Sequence, residues 1–186
     1  REWRKNCDEE RLLGVSLTGI MDNPLTANPK PDSLRSLRQI AVNINEALAQ
    51  EIGINPSASI TCVKPSGTVS QLVDSASGIH SRHSPYYIRR VRMDAKDPMT
   101  AFMQDLEWVW EPDNIKPNET VVFSFPVKSP KGSITRDKRS AIQQLEVWSL
   151  YQEHWCQHKP SITITVKEEE WLEVGAWVFN NFKTMS

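Results

Sequence analysis

"ASITCVKPSGTVSQLVDSASGIHSRHSPYYIRRVR", residues 58–92, contains the transition on which the fold turns. Residues 58–63 are β-branched, small and apolar, the composition of a buried strand. The run stops at Lys64-Pro65. Ser66-Gly67-Thr68 follow, and a helix is expected to start over 68–74. A strand that empties through Pro-Ser-Gly-Thr straight into a helix is an α/β junction. It sets a short loop of small residues beside the first N–H groups of a helix, which have no intrahelical acceptors.

The flanking sequence repeats the alternation. Upstream, "LGVSLTGI" at 13–20 is a β-prone run, and "MDNPLTANPKPD" at 21–32 is a loop. A helix over 33–52 is expected, capped by Asp32 or Ser33 and stopped by Gly53. Leu34, Leu37, Ile40, Ala41, Ile44, Ala47 and Leu48 recur at three and four, which predicts one buried face. Downstream, 86–91 is extended, and Asp97-Pro98 opens a helix over 98–106 with proline at its first position. "TVVFSF" at 120–125 is a strand. Thr135 caps a long helix with Ala141, Leu145, Trp148, Tyr151 and Trp155 on one stripe. "SITITV" at 161–166 is a further strand, and a helix follows over 167–179. Clusters of proline and polar residues at 23–32, 112–119 and 126–133 read as loops. Strands alternating with helices predict an α/β fold with mostly parallel strands, in which ligands gather at strand carboxyl ends.

Composition narrows the function. Hydrophobic residues make up 39%, enough for a core, and the net charge of −1 gives no strong attraction to nucleic acid or an anionic membrane. No apolar run approaches a membrane span, and the N-terminus is no signal peptide. Cys7, Cys62 and Cys156 are odd in number and lack paired spacing, which fits free thiols in a reducing compartment such as the cytoplasm. The chain opens at Arg1 without an initiator methionine, and both ends read as cut from something longer.

Two readings of residues 65–69 stand side by side. In the first, Ser66 or Thr68 caps the helix and no ligand is involved. In the second, the loop cradles a phosphate. Free N–H groups and the positive end of the helix dipole favour an anion. Gly67 lets the backbone approach it, Ser66, Thr68 and Ser70 add hydroxyls, and Pro65 fixes the approach. The Walker pattern and the GxGxxG fingerprint are both absent from the sequence.

"KPSGTVSQLVDSASGIHSRHSPYYIRRVR" at 64–92 closely resembles the adenosylcobalamin-dependent (class II) ribonucleotide reductases, most of all the monomeric ribonucleoside-triphosphate reductase type. "GVSLTGIMD" at 14–22, "VFSFPVKSP" at 122–130, "LYQEHWCQHKPSITITVKEEEW" at 150–171 and "VGAWVFNNF" at 174–182 resemble the same family in the same order. The resemblance covers nearly the whole chain and implies the C-terminal half of a ten-stranded α/β barrel, with residues 1–186 a partial catalytic domain truncated at both ends. It favours the phosphate reading and assigns the substrate's phosphates to Pro65, Ser66, Gly67, Thr68 and Val69. It implies an enzyme that converts ribonucleotides to deoxyribonucleotides by thiyl radical chemistry. The implied cofactor is adenosylcobalamin, and the implied partners are a thioredoxin-type reductant and a deoxynucleotide effector. The family's Asn-Pro-Cys-x-Glu motif, which carries the radical cysteine, does not occur in this sequence, so no catalytic residue is assigned and the segment alone is expected to be inactive. An iron-dependent reductase large subunit shares the barrel and is the alternative among enzymes. A non-catalytic nucleotide-binding module is the alternative outside them.

Other clusters carry plainer readings. In "HWCQH", 154–158, His154 and His158 would share a helix face as a metal pair does, but Cys156 is off that face and no further ligand is evident. Helix-end packing is preferred. His80, Arg82, His83, Arg89, Arg90 and Arg92 form a basic stretch, read as a solvated face or structural ion pairs, with phosphate contact as the alternative. Trp108 and Trp110 read as packing residues. The acids of "KEEEW", 167–171, suit the first turn of a helix and not a catalytic pair.

Overall fold

The strand expected at 58–63 is extended, but its ladder is short. In the computed structural model, which describes residues 1–185, β1 (Val15–Ser16) pairs in parallel with β2 (Thr61–Cys62), Val15 opposite Thr61 and Ser16 opposite Cys62. Further bonds from Leu13 N to Ser59 O and from Leu17 N to Cys62 O extend that edge. On the other edge β2 meets the segment after α6 (Ala141–His154), not another strand. Gln157 and His158 N–H both donate to Thr61 O, and the Gln157 side-chain oxygen accepts from Ile60 N at 2.8 Å.

These elements belong to one of two compact units, residues 1–82 with the segment from Lys131 onward; the other is residues 83–130. In the first unit α1 (Glu2–Glu10) precedes β1, a 3-10 turn at Ile20–Asp22 follows it, and α2 (Pro24–Ala27) leads to α3 (Pro31–Ile52). α3 starts two residues before the expected start at 33, with Lys30 at the cap position and Pro31 in the first turn, where its fixed φ is already helical. It stops at Gly53 as expected, with φ +71°. The stripe expected to be buried is largely bare. Leu34 is covered, but Leu37, Ile40, Ile44 and Leu48 remain 50–55% exposed.

α6 is capped by Ser140, not Thr135. Ser140 accepts from Gln143 N, and the Gln143 side chain accepts from Ser140 N, the reciprocal arrangement that Ser-x-x-Gln encodes. Thr135 is instead buried in a bridge with Arg82. Arg82 N donates to Ile134 O and Arg136 N to Arg82 O, each at 2.9 Å, so the chain leaves the first unit and returns to it at neighbouring points. The core gathers Val147, Trp148 and Tyr151 of α6 against Ile20, Met21, Leu34, Val63, Ile79 and Trp155. Residues 161–166 form no strand. Ser161 N donates to Val63 O, but the next N–H groups that are bonded find side chains: Thr163 N donates to the His80 ring and Thr165 N to the Gln144 amide oxygen. After a 3-10 turn at Glu168–Glu170, α7 (Trp171–Met185) ends the described chain.

The second unit is antiparallel, which corrects the expectation of mostly parallel strands. β3 (Tyr86–Asp94) pairs with β5 (Thr120–Lys128), from Tyr86 opposite Lys128 to Asp94 opposite Thr120. β4 (Trp110–Pro112) lies on the far edge of β5. α5 (Pro98–Asp105) sits in the connection, its N-cap Asp97 accepting from Met99 N at 2.8 Å. β5 runs through Pro126, where a loop was expected. The fold is therefore mixed α/β with small, open sheets. Among the described residues no helix is long and apolar enough to cross a membrane.

Candidate functional site

Residues 64–78 leave β2, make the single turn α4 (Val69–Leu72), and fold back onto their own starting point. Gly78 has φ +55°, and a Cβ there would lie 2.8 Å from Lys64 O. Only glycine allows the two limbs to approach so closely. Ser66 N donates to Ser77 Oγ at 3.0 Å and completes the neck. The result is a compact loop with its ends together, the Ω form that often carries function.

Beneath the neck lies the segment after β1. Thr18 Oγ1 is 3.0 Å from Ser66 Oγ, donates to Ala76 O at 3.0 Å, and accepts from Gly78 N at 2.9 Å. Gly19 N also reaches Ala76 O, and Ile20 N reaches Gly78 O. Asp22 Oδ2 accepts from Ala76 N at 2.6 Å. Arg82 joins Asp22 to Asp74.

The five residues expected to bind phosphate form one bend, but they are not equivalent. Ser66 is turned inward, its N–H on Ser77 and its hydroxyl against Thr18. Val69 N is used within the loop, donating to Ser66 O at 3.1 Å. Gly67, φ +54°, has no atom within 4 Å of the place a Cβ would occupy. Among the described residues, no acceptor meets the Gly67 or Thr68 N–H. Thr68 occupies the N-cap position of α4, but neither its side chain nor that of Ser66 caps the helix. Ser70 Oγ donates to Gly67 O, which braces the bend from within.

The neighbouring histidine and arginines are committed elsewhere. His80 Nε2 accepts from Thr163 N at 2.9 Å, so its proton sits on Nδ1, facing Ser77 O at 3.0 Å. Arg90 pairs with Glu111, and Arg92 Nε with Asp113 Oδ1 at 2.8 Å. The Arg92 guanidinium, with the Ile115 N–H, holds the Asp113 carboxyl below its usual range. The reading of structural ion pairs describes these arginines. Trp108 packs on Phe125, as expected of a packing residue.

"HWCQH" does not form a metal pair, because α6 ends at His154 and the shared face ends with it. His154 Nδ1 accepts from Arg35 at 3.0 Å, while His158 Nε2 lies 2.7 Å from Leu13 O. Among the described residues no cluster of three or more His, Cys, Asp or Glu could hold a metal ion. Glu170 of "KEEEW" accepts from Ala141 N and Lys167 N and so tethers the start of α6 to the turn before α7.

A cavity of about 950 Å³ opens along the bare stripe of α3, lined by Leu13, Ile44, Leu48, Ile52 and Ile60. None of its lining residues belongs to the 64–78 loop. Of its polar residues, Arg11, Asn45 and Asn55 bond to Asp8, Ser57 and the Asp8 carbonyl, and Asn6 and Glu10 line it as well.

No protein-family model matches the chain. Curated relatives are adenosylcobalamin-dependent ribonucleoside-triphosphate reductases. That of Lactobacillus acidophilus is 27% identical, over 92% of this chain and 27% of that protein. That of Euglena gracilis is 32% identical, over 90% of this chain and 24% of that protein. The crystal structure of a B-12-dependent (class II) ribonucleotide reductase superposes with a TM-score of 0.81 at 24% identity, covering 96% of this chain and 29% of that one. The chain thus shares that fold and spans about a quarter of the length of the curated relatives it matches.

Proposed function

We propose that this chain is a segment of an adenosylcobalamin-dependent ribonucleotide reductase, from the C-terminal half of its ten-stranded α/β barrel, and that residues 65–69 hold the substrate's phosphates. The observation that carries the site is the closed loop with an open bend at its tip. Two N–H groups there, those of Gly67 and Thr68, meet no acceptor among the described residues. A bare glycine lets an anion reach them. Pro65 stiffens the approach, Thr68 Oγ1 adds a donor, and Val69 borders the bend. Ser66 shapes it from beneath.

The loop's task is positional. Holding the phosphates fixes where the ribose lies, the entropic part of catalysis. Adenosylcobalamin, bound elsewhere in the parent enzyme, supplies the radical chemistry. The segment carries no radical cysteine motif and is inactive alone. The parent enzyme takes ribonucleoside triphosphates and works in the cytoplasm with a thioredoxin-type reductant and a deoxynucleotide effector. An Asn-Pro-Cys-x-Glu motif upstream of Arg1 separates this reading from a non-catalytic module, and a requirement for adenosylcobalamin separates it from an iron-dependent subunit.

The test is Gly67→Asp in the full-length enzyme, with affinity measured for a ribonucleotide and for the unphosphorylated ribonucleoside. A carboxylate placed where the phosphate sits is expected to weaken the nucleotide by at least about 1.4 kcal/mol, tenfold, and spare the nucleoside. Thr68→Ala removes one charge-assisted hydrogen bond, about 1.5–3 kcal/mol at most. Equal weakening of both ligands by Gly67→Asp, or of neither, sinks the assignment.

A further inference from the structure

We propose that Arg82, acting through Asp22 and Asp74, is a positioning residue for the phosphate loop: it fixes the returning limb of residues 64–78 and does not touch the substrate. The proposal rests on the phosphate reading of residues 65–69. The Arg82 side chain is only 4% exposed. Its Nε and Nη2 donate to Asp22 Oδ1 and Oδ2, both at 2.9 Å, the bidentate pairing that a guanidinium fork makes with a carboxylate. Nη1 reaches Asp74 Oδ1 at 3.1 Å, and Nη2 also donates to Asp74 O at 2.6 Å. An arginine this enclosed and this committed has no reach for a phosphate at the loop tip.

What it grips is a backbone that needs gripping. Asp74 has φ +47° without being glycine, a conformation that persists only where its surroundings over-determine it. One guanidinium holds both its carboxylate and its carbonyl. Asp22 extends the hold by two residues, since the oxygen that pairs with Arg82 also accepts from Ala76 N. Thr18 then takes Ala76 O and Gly78 N. The limb is thus pinned at residues 74, 76 and 78.

The limb matters because the tip hangs from it. Gly78 rests against Lys64 O, and Ser77 bonds Ser66. Apolar packing does little to fix the outer half: Val69, Leu72 and Val73 are 59%, 88% and 60% exposed. Displacing the limb therefore moves Ser66 to Thr68 directly.

The experiment uses the full-length reductase. Arg82→Lys keeps the charge but cannot form the fork. Asp74→Asn, at a side chain 70% exposed, tolerates the left-handed backbone and removes only the carboxylate charge. Arg82→Lys is expected to raise KM for the ribonucleotide about tenfold while kcat stays within about twofold, with ribonucleoside affinity unchanged. Asp74→Asn is expected to shift KM the same way by a smaller factor. Hydrogen exchange is expected to quicken over residues 66–78, with α3 and α6 keeping their protection. Equal loss for nucleotide and nucleoside, exchange that rises in α3 and α6 as much as in the loop, or no change at all overturns the proposal. Should Arg82→Lys fail to fold, Asp74→Asn decides by the same readings. A Gly67→Asp variant that does not separate nucleotide from nucleoside removes the phosphate reading, and the exchange pattern then decides whether Arg82 holds the loop.

Discussion

Cys156 follows Trp155 into the core at 9% exposure. Burial, aided by the nearby Cys62, pushes its thiol up to about 12. The thiolate is the reactive species, so this sulfur stays inert near neutrality. In this chain when folded, an alkylating reagent at mildly alkaline pH is expected to modify exposed Cys7 and to reach Cys62 and Cys156 only after denaturation. Peptide mass spectrometry reads this directly, and labelling of Cys156 as fast as Cys7 would contradict the packing described. At this scale the sequence was legible where chemistry is local. Pro65, Gly67 and Thr68 announce a bend by their types alone. Thr18 and Asp22 do not, because Ser66 lies 48 residues from Thr18 and Arg82 lies 60 from Asp22. The burial of Arg82 was invisible for the same reason. A guanidinium in a basic stretch reads as solvated until a distant carboxylate is known to meet it.

Among the elements, α6 shows how an acid outside a helix supports its start. Glu170 accepts from Lys167 N and Ala141 N through different oxygens, and these bonds, Lys167 first, hold its carboxyl below the usual glutamate range. A folded-state value below the unfolded one means stability that is present above the unfolded value and lost as pH falls through the folded one. Glu170→Gln leaves one acceptor oxygen for two N–H groups. Amide exchange at Ala141 and Lys167 is expected to quicken in this variant near neutral pH, and the gap from the unsubstituted protein to close on acidification. A gap that stays constant with pH would assign the effect to packing and not to charge. Two capping signals held, Gly53 stopping α3 and Asp97-Pro98 starting α5, whereas Asp32 and Ser33 lie inside α3 and Lys30 takes its cap position. Thr135 failed as a cap because Ser140 with Gln143 offers the complete reciprocal pair. "SITITV" failed as a strand because Thr163 N and Thr165 N bond to His80 and Gln144 side chains. β-propensity records a fit to an extended backbone and says nothing of who supplies the hydrogen bonds.

For the whole molecule, the bare stripe of α3 sets the terms. Leu37, Ile40, Ile44, Leu48 and Ile52 are each at least half exposed. Covering what remains exposed would contribute roughly 4–8 kcal/mol, comparable to the net stability of a domain, about 5–15 kcal/mol. Leu172, Phe179 and Phe182 of α7 are exposed as well. The isolated chain is therefore expected to associate with itself, to melt broadly, and to turn over no ribonucleotide when adenosylcobalamin and a dithiol are supplied. A monodisperse monomer with one sharp transition, or measurable turnover, refutes it. The period of three and four in α3 correctly marked a face that needs cover, but periodicity cannot say which part of a protein provides it. Strand pairing was equally out of reach: nothing in residues 86–128 distinguishes an antiparallel partner from a parallel one until the connections are seen. The junction of Arg82 with Ile134 and Arg136 has one more consequence. Residues 83–130 form a ring of chain tied off at a fixed base, and the entropy of closing such a ring changes by only about 0.6 kcal/mol for each doubling of its length. The base is nearly indifferent to how much chain it carries, which makes this junction the natural place for the protein to grow or shrink.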